Sequence, residues 1–126
     1  MFLKLKSEQL GQMLRHAGRD YPSECCGVML GSSNGESKMV TEIIEMRNLR
    51  RDPSEAQELL PLDSPEEETD RNRFLIDPKE QLRVEKSARA RSLDVIGYYH
   101  SHPDHPARPS SYDHDHAWPW YSYVII

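Results

Sequence analysis

The chain has only two cysteines in 126 residues, and they are neighbours, Cys25 and Cys26. A disulfide needs two converging side chains, which adjacent residues rarely supply, so this is not a secreted disulfide scaffold. No apolar run approaches the roughly 18 residues of a membrane span, and the opening MFLKLKSEQL carries no signal-peptide pattern. Basic excess is also missing: 16 basic residues face 21 acidic ones, for a formal net charge of −5. That argues against nucleic acid, which demands a basic face, and against an anionic membrane surface. Apolar residues make up 37% of the chain and mean hydropathy is −0.79, so the core is modest. The expectation is a cytoplasmic protein forming a single domain over 1–126, with its last strand or strands lacking because the chain stops inside an apolar run. The oligomeric state is not encoded in any pattern we recognise.

Local patterns supply the elements. MFLKL alternates as a short strand does. Ser7 is placed to cap a helix whose apolar stripe is Leu10, Met13, Leu14 and Ala17, ending before Pro22. CCGVMLG reads as a buried strand, GSSNGES as a turn and KMVTEIIEM as the antiparallel partner. RFLID is a further apolar segment, expected as a strand. Asp77, Pro78 and Glu80 open a helix reaching about Arg91, LDVIGYY is a strand, SSYDHDHAW a short helix stopped by Pro119, and YSYVII a last strand. This order predicts an α/β fold, a mixed sheet with flanking helices. Residues 52–70 hold eight acids, three prolines and no base. They read as an exposed, mobile insertion, or as a docking loop for a basic partner.

Five of the six histidines lie between Gly97 and Trp118. His100 and His102 stand at a strand end, where residues two apart share a face, so both imidazoles can meet one metal ion. His114 and His116 have the same spacing but fall in the expected helix, about 200° apart around its axis. A catalytic zinc takes three protein ligands and keeps one open position. Asp113, after a loop stiffened by Pro103, Pro106 and Pro109, is the natural third ligand. Ser110 and Asp113 also fit a capping box, which accounts for both without a metal.

The run His100-Ser101-His102-Pro103, six residues, Ser110, two residues, Asp113 resembles the JAMM (MPN+) metalloprotease motif, in which serine or threonine stands between the histidines. The glutamate of that motif matches Glu24 in YPSECCGVMLG. The resemblance implies an MPN/JAMM domain, layered like cytidine deaminase, with one Zn2+ on His100, His102 and Asp113. It implies Glu24 as general base and Ser110 as donor to the oxyanion. Zinc lowers the pKa of its water to about 7, a carboxylate can carry that proton to the leaving amine, and zinc with a hydroxyl shares the new negative charge. It further implies a stand-alone prokaryotic type, a hydrolase cutting a peptide or isopeptide bond after the Gly-Gly tail of a ubiquitin-like or sulfur-carrier protein, for instance releasing cysteine.

Three competing readings are weaker. A non-catalytic carrier-binding or assembly scaffold would need a structural metal with a fourth protein ligand, from His114 or His116. A cysteine protease would need an accessible thiol, whereas Cys25 and Cys26 sit in a strand that reads as buried. A nucleoside deaminase would need His-x-Glu and Pro-Cys-x-x-Cys elements that are absent.

Overall fold

The computed structural model describes residues 2–51, 75–103, 107 and 120–126. The acidic segment, the short helix expected over 110–118, Ser110 and Asp113 all lie outside the described residues. In chain order the elements are β1 (Phe2–Lys4), α1 (Ser7–Asp20), β2 (Cys26–Ser33), β3 (Ser37–Met46), a 3-10 turn (Leu49–Arg51), α2 (Pro78–Ala90), β4 (Asp94–His100) and β5 (Ser122–Ile125). The strands form one mixed sheet ordered β1-β3-β2-β4-β5. β1 runs parallel to β3 and β5 parallel to β4, while β2 is antiparallel to both its neighbours. The expected α/β class holds.

The central strand explains the two-layer covering. From Cys26 to Gly31 every residue of β2 is buried, as a strand covered on both faces requires, so its sequence is continuously apolar rather than alternating. One face packs α1: Met13, Cys25, Met29, Val40, Ile43, Ile96 and Tyr99 form a cluster with Ala17 against it. The other packs α2: Cys26, Val28, Leu30, Met46, Ala88 and Val95, with Val84 and Ile76 alongside. Each fully buried large apolar side chain contributes roughly 1.5–3 kcal/mol. Tyr99 lies flat over Gly27, where an added Cβ would come within 2.0 Å of its ring; only glycine leaves that space.

Both neighbours of β2 carry one extra residue at the level of Leu30. The register passes from Leu30–Glu42 to Gly31–Val40, skipping Thr41, and from Met29–Gly97 to Leu30–Val95, skipping Ile96. Such bulges switch the alternation of the strand, which is how Ile96 and Tyr99 come to share the α1 face while Val95 and Tyr98 face α2. Lys38 closes this end of the sheet. It is 2% exposed, and its Nζ donates to the Ile96 carbonyl at 3.4 Å, to Ser122 Oγ at 3.2 Å and to the Trp120 carbonyl, lying 4.4 Å from the Trp120 ring centre. Burial lowers its pKa.

Three local expectations need correction. The cap of α1 is Lys6, not Ser7: Ser7 is the first helical residue, and the Gln9 side chain takes the Lys6 amide at 2.8 Å. The buried face of α1 is centred on Met13 and His16, leaving Leu10 and Leu14 40% and 54% exposed. Polar groups turned the helix: Gln9 and Gln12 donate to the carbonyls of Val40 and Ile43, and His16 Nδ1 meets Tyr99 Oη at 2.7 Å. In RFLID, the described residues Leu75, Ile76 and Asp77 are irregular. Leu75 bonds the turn after β3 instead, accepting from the Leu49 amide at 2.7 Å. Asp77 does cap α2, accepting from the Lys79 amide at 2.9 Å, with Pro78 at the first helical position. Tyr121 packs edge-on and Tyr123 stacked against Tyr98.

Candidate metal centre

The register alone brings three side chains to one place. Cys26 pairs with His100, and directly opposed residues of paired strands share a face. Glu24 is two residues before Cys26, and His102 is two after His100, so extended backbone keeps all three on that face. The structure gathers them at the end of the sheet where β2 begins and β4 ends. The ligand atoms of Glu24, His100 and His102 lie within 4.8 Å of one another, and their residues are 2%, 3% and 7% exposed.

The backbone here is held on both sides. The Ser101 amide donates to the Cys25 carbonyl at 3.1 Å, the His102 amide to the Ile126 carbonyl at 2.8 Å, and the Ile126 amide to the His100 carbonyl at 3.0 Å. Side chains add to this. Ser101 Oγ accepts from the Cys25 amide at 2.8 Å, and Asn48 Nδ2 donates to the Glu24 carbonyl at 3.0 Å.

The donor set fits a divalent transition metal. His100 Nε2 and His102 Nε2 are 3.1 Å apart, close to the roughly 3.3 Å edge that two imidazoles make when each sits about 2.0–2.1 Å from one tetrahedral zinc. Two imidazoles with a carboxylate beside them form a donor set whose chemistry zinc takes in hydrolases.

The two thiols beside the site are unsuited to nucleophilic or ligand roles. Both are fully buried and free. Burial pushes the Cys25 thiol up to about 11, against a smaller opposing effect of its hydrogen bond with Ser101, and burial pushes Cys26 well above the ordinary range. Thiolate, the reactive and ligating form, is therefore scarce at neutral pH. The cysteine-protease reading loses its nucleophile.

Of the five residues singled out from sequence, Glu24, His100 and His102 converge, while Ser110 and Asp113 lie outside the described residues. Two further residues stand at the site: the intervening Ser101, which belongs to the motif but has no assigned role in it, and Asn48, which carries no signal of its own. Asn48 is a buried polar residue just past an apolar strand, and that position is the sole hint the sequence offers.

Comparison with known proteins gives a family and several relatives. A family model described as prokaryotic homologs of the JAB domain matches residues 6–126. Desampylase of Haloferax volcanii is 30% identical over 128 residues, covering 98% of this chain and 78% of that protein. The CysO-cysteine peptidase of Mycobacterium tuberculosis is 27% identical over 111 residues, covering 88% of this chain and 62% of the peptidase. Among solved structures, the solution structure of a Desulfitobacterium hafniense protein superposes with a TM-score of 0.74 at 32% identity, covering 99% of this chain and 73% of that one.

Proposed function

Given that this chain belongs to the prokaryotic JAB family, we propose that it is a zinc-dependent hydrolase of the JAMM type. Its substrate is a peptide or isopeptide bond that follows the C-terminal Gly-Gly tail of a ubiquitin-like or sulfur-carrier protein. The observation that carries this reading is the convergence of Glu24, His100 and His102, with ligand atoms within 4.8 Å. The names of the relatives support the substrate class: one is a desampylase, the other a CysO-cysteine peptidase.

The roles follow from the chemistry of each group. His100 and His102, with Asp113, would hold the ion. When bound, zinc supplies Lewis acidity at the scissile carbonyl and a source of nucleophilic water at neutral pH. Glu24 takes a proton from the attacking water and returns it to the leaving amine, a general base that becomes a general acid. Ser110 donates a hydrogen bond to the carbonyl oxygen as that oxygen gains charge. Burial of the Glu24 and His pair excludes bulk water and strengthens these interactions. Neither thiol serves as nucleophile, because both are buried with raised pKa values, and water attacks the amide instead.

The test is direct. Zinc-loaded protein is mixed with a ubiquitin-like carrier whose terminal Gly-Gly is joined to a small amine, and the products are weighed by mass spectrometry. The carrier ending in free Gly-Gly is expected, with the reaction abolished by chelator and restored by zinc. Cleavage that persists in chelator would contradict the reading. So would an intact adduct with zinc-loaded protein.

A further inference from the structure

We infer that Asn48 and Ser101 are positioning residues that set the direction of the Glu24 carboxylate by gripping a single peptide group. The inference rests on the role proposed for Glu24. Residues 21–25 link α1 to β2 without belonging to either. The carbonyl of Glu24 and the amide of Cys25 are two ends of one planar unit. Asn48 Nδ2 donates to that carbonyl at 3.0 Å, and that amide donates to Ser101 Oγ at 2.8 Å. Both bonds are made by side chains, 1% and 4% exposed by residue. Held at both ends, the plane is restrained from swinging, and the Cα from which the Glu24 side chain springs is held with it.

Each grip is itself oriented. Asn48 Oδ1 accepts from the amides of Arg50 and Leu75, both at 3.1 Å. An amide oxygen with two N–H donors must place its NH2 on the other side, toward Glu24. Ser101 lies between the two candidate ligands, and its own amide returns a bond to the Cys25 carbonyl at 3.1 Å. The residue that spaces the imidazoles therefore also registers them against Glu24. A proton shuttle depends on such registration, because a misplacement of about 1 Å can cost on the order of 100-fold in rate.

The experiment uses the zinc-loaded protein and a carrier whose Gly-Gly is joined to a fluorogenic aminocoumarin. Asn48→Asp keeps the acceptor for Arg50 and Leu75 but removes the donor to Glu24; Ser101→Ala removes the hydroxyl, and Ser101→Thr restores one. Asn48→Asp and Ser101→Ala are expected to lower kcat about 10- to 100-fold, with KM and zinc affinity within about 3-fold of wild type. Ser101→Thr should recover most of the loss. Asn48→Asp added to Glu24→Gln should slow that variant no further, since both act on one proton transfer. Amide exchange at Cys25 should quicken in Asn48→Asp and Ser101→Ala, a readout that needs no activity. Multiplying losses on the Glu24→Gln background, or unchanged kcat and unchanged Cys25 exchange, would overturn the inference. Full turnover by Glu24→Gln would instead sink the proposed function, and Cys25 exchange would still judge the grip.

Discussion

Among the places where the described residues bury ionisable side chains, two are built in opposite ways. At one end of the sheet Lys38 is ringed by oxygens: the carbonyls of Ile96 and Trp120, the Ser122 hydroxyl and the face of Trp120. One donor meets several acceptors, and each bond ties a piece of chain down. At the other end Glu24, His100 and His102 bring three metal-ligating groups within 4.8 Å of one another, the two imidazoles sharing a hydrogen bond at 3.1 Å. The first arrangement is complementary as it stands and reads as structural. The second is complementary to a cation, and that is why it reads as a site. Burial is common to both; what separates them is that one gathers acceptors around a single cation and the other gathers three metal-ligating side chains.

The contrast breaks or sharpens under substitution. The largest effect is expected for His102→Ala, which removes an imidazole from the centre. Zinc affinity should fall by more than about 100-fold, the ceiling for partners outside the ligand set, and elemental analysis should find no retained ion. Next is Glu24→Gln, which should retain zinc and lower kcat about 10²- to 10⁴-fold, the range of a general base; steady-state kinetics on the carrier adduct reads it. Lys38→Met should reverse the pattern: stability falls by about 1–3 kcal/mol from carbonyls left unpaired, measured by urea unfolding, while zinc binding persists. If Lys38→Met lost zinc and kept its stability, the division between the two regions would be wrong.

The smallest effect is expected on the surface. Burial alone would raise the Glu45 carboxyl, but hydrogen bonds from Arg19 and Gln12 outweigh it and hold the group below its ordinary range. Arg19 Nη2 lies 2.6 Å from Glu45 Oε1. A folded-state value below the unfolded one adds stability above the unfolded carboxylate pKa of about 4.3, and that stability is lost as pH falls through the lowered value. Arg19→Ala should therefore give a small drop in Tm near neutral pH and none in strong acid, by calorimetry at both.

The sequence discloses what is local. The buried run of β2, the alternation in β3 and the Asp77-Pro78 start of α2 are patterns a few residues long, and all three elements form. The His-x-His spacing is local too. What escaped depends on distant partners. The leucines of α1 set the helical period, yet the helix turns its Met13–His16 face inward because Gln9, Gln12 and His16 find bonds on β3 and β4, 31 to 83 residues away. RFLID has the composition of a strand, but Leu75 is taken by Asn48 and Leu49. Asn48 is silent in the sequence because its partner Glu24 is 24 residues off. Glu24 itself was legible only through a family motif; its nearness to the histidines comes from the Cys26–His100 pairing.

X-ray absorption at the zinc edge of the loaded protein tests the central claim most directly. The account predicts two imidazole nitrogens and an oxygen shell, all at about 2.0–2.2 Å. A sulfur shell at about 2.3 Å, or a spectrum without imidazole scattering, would contradict it.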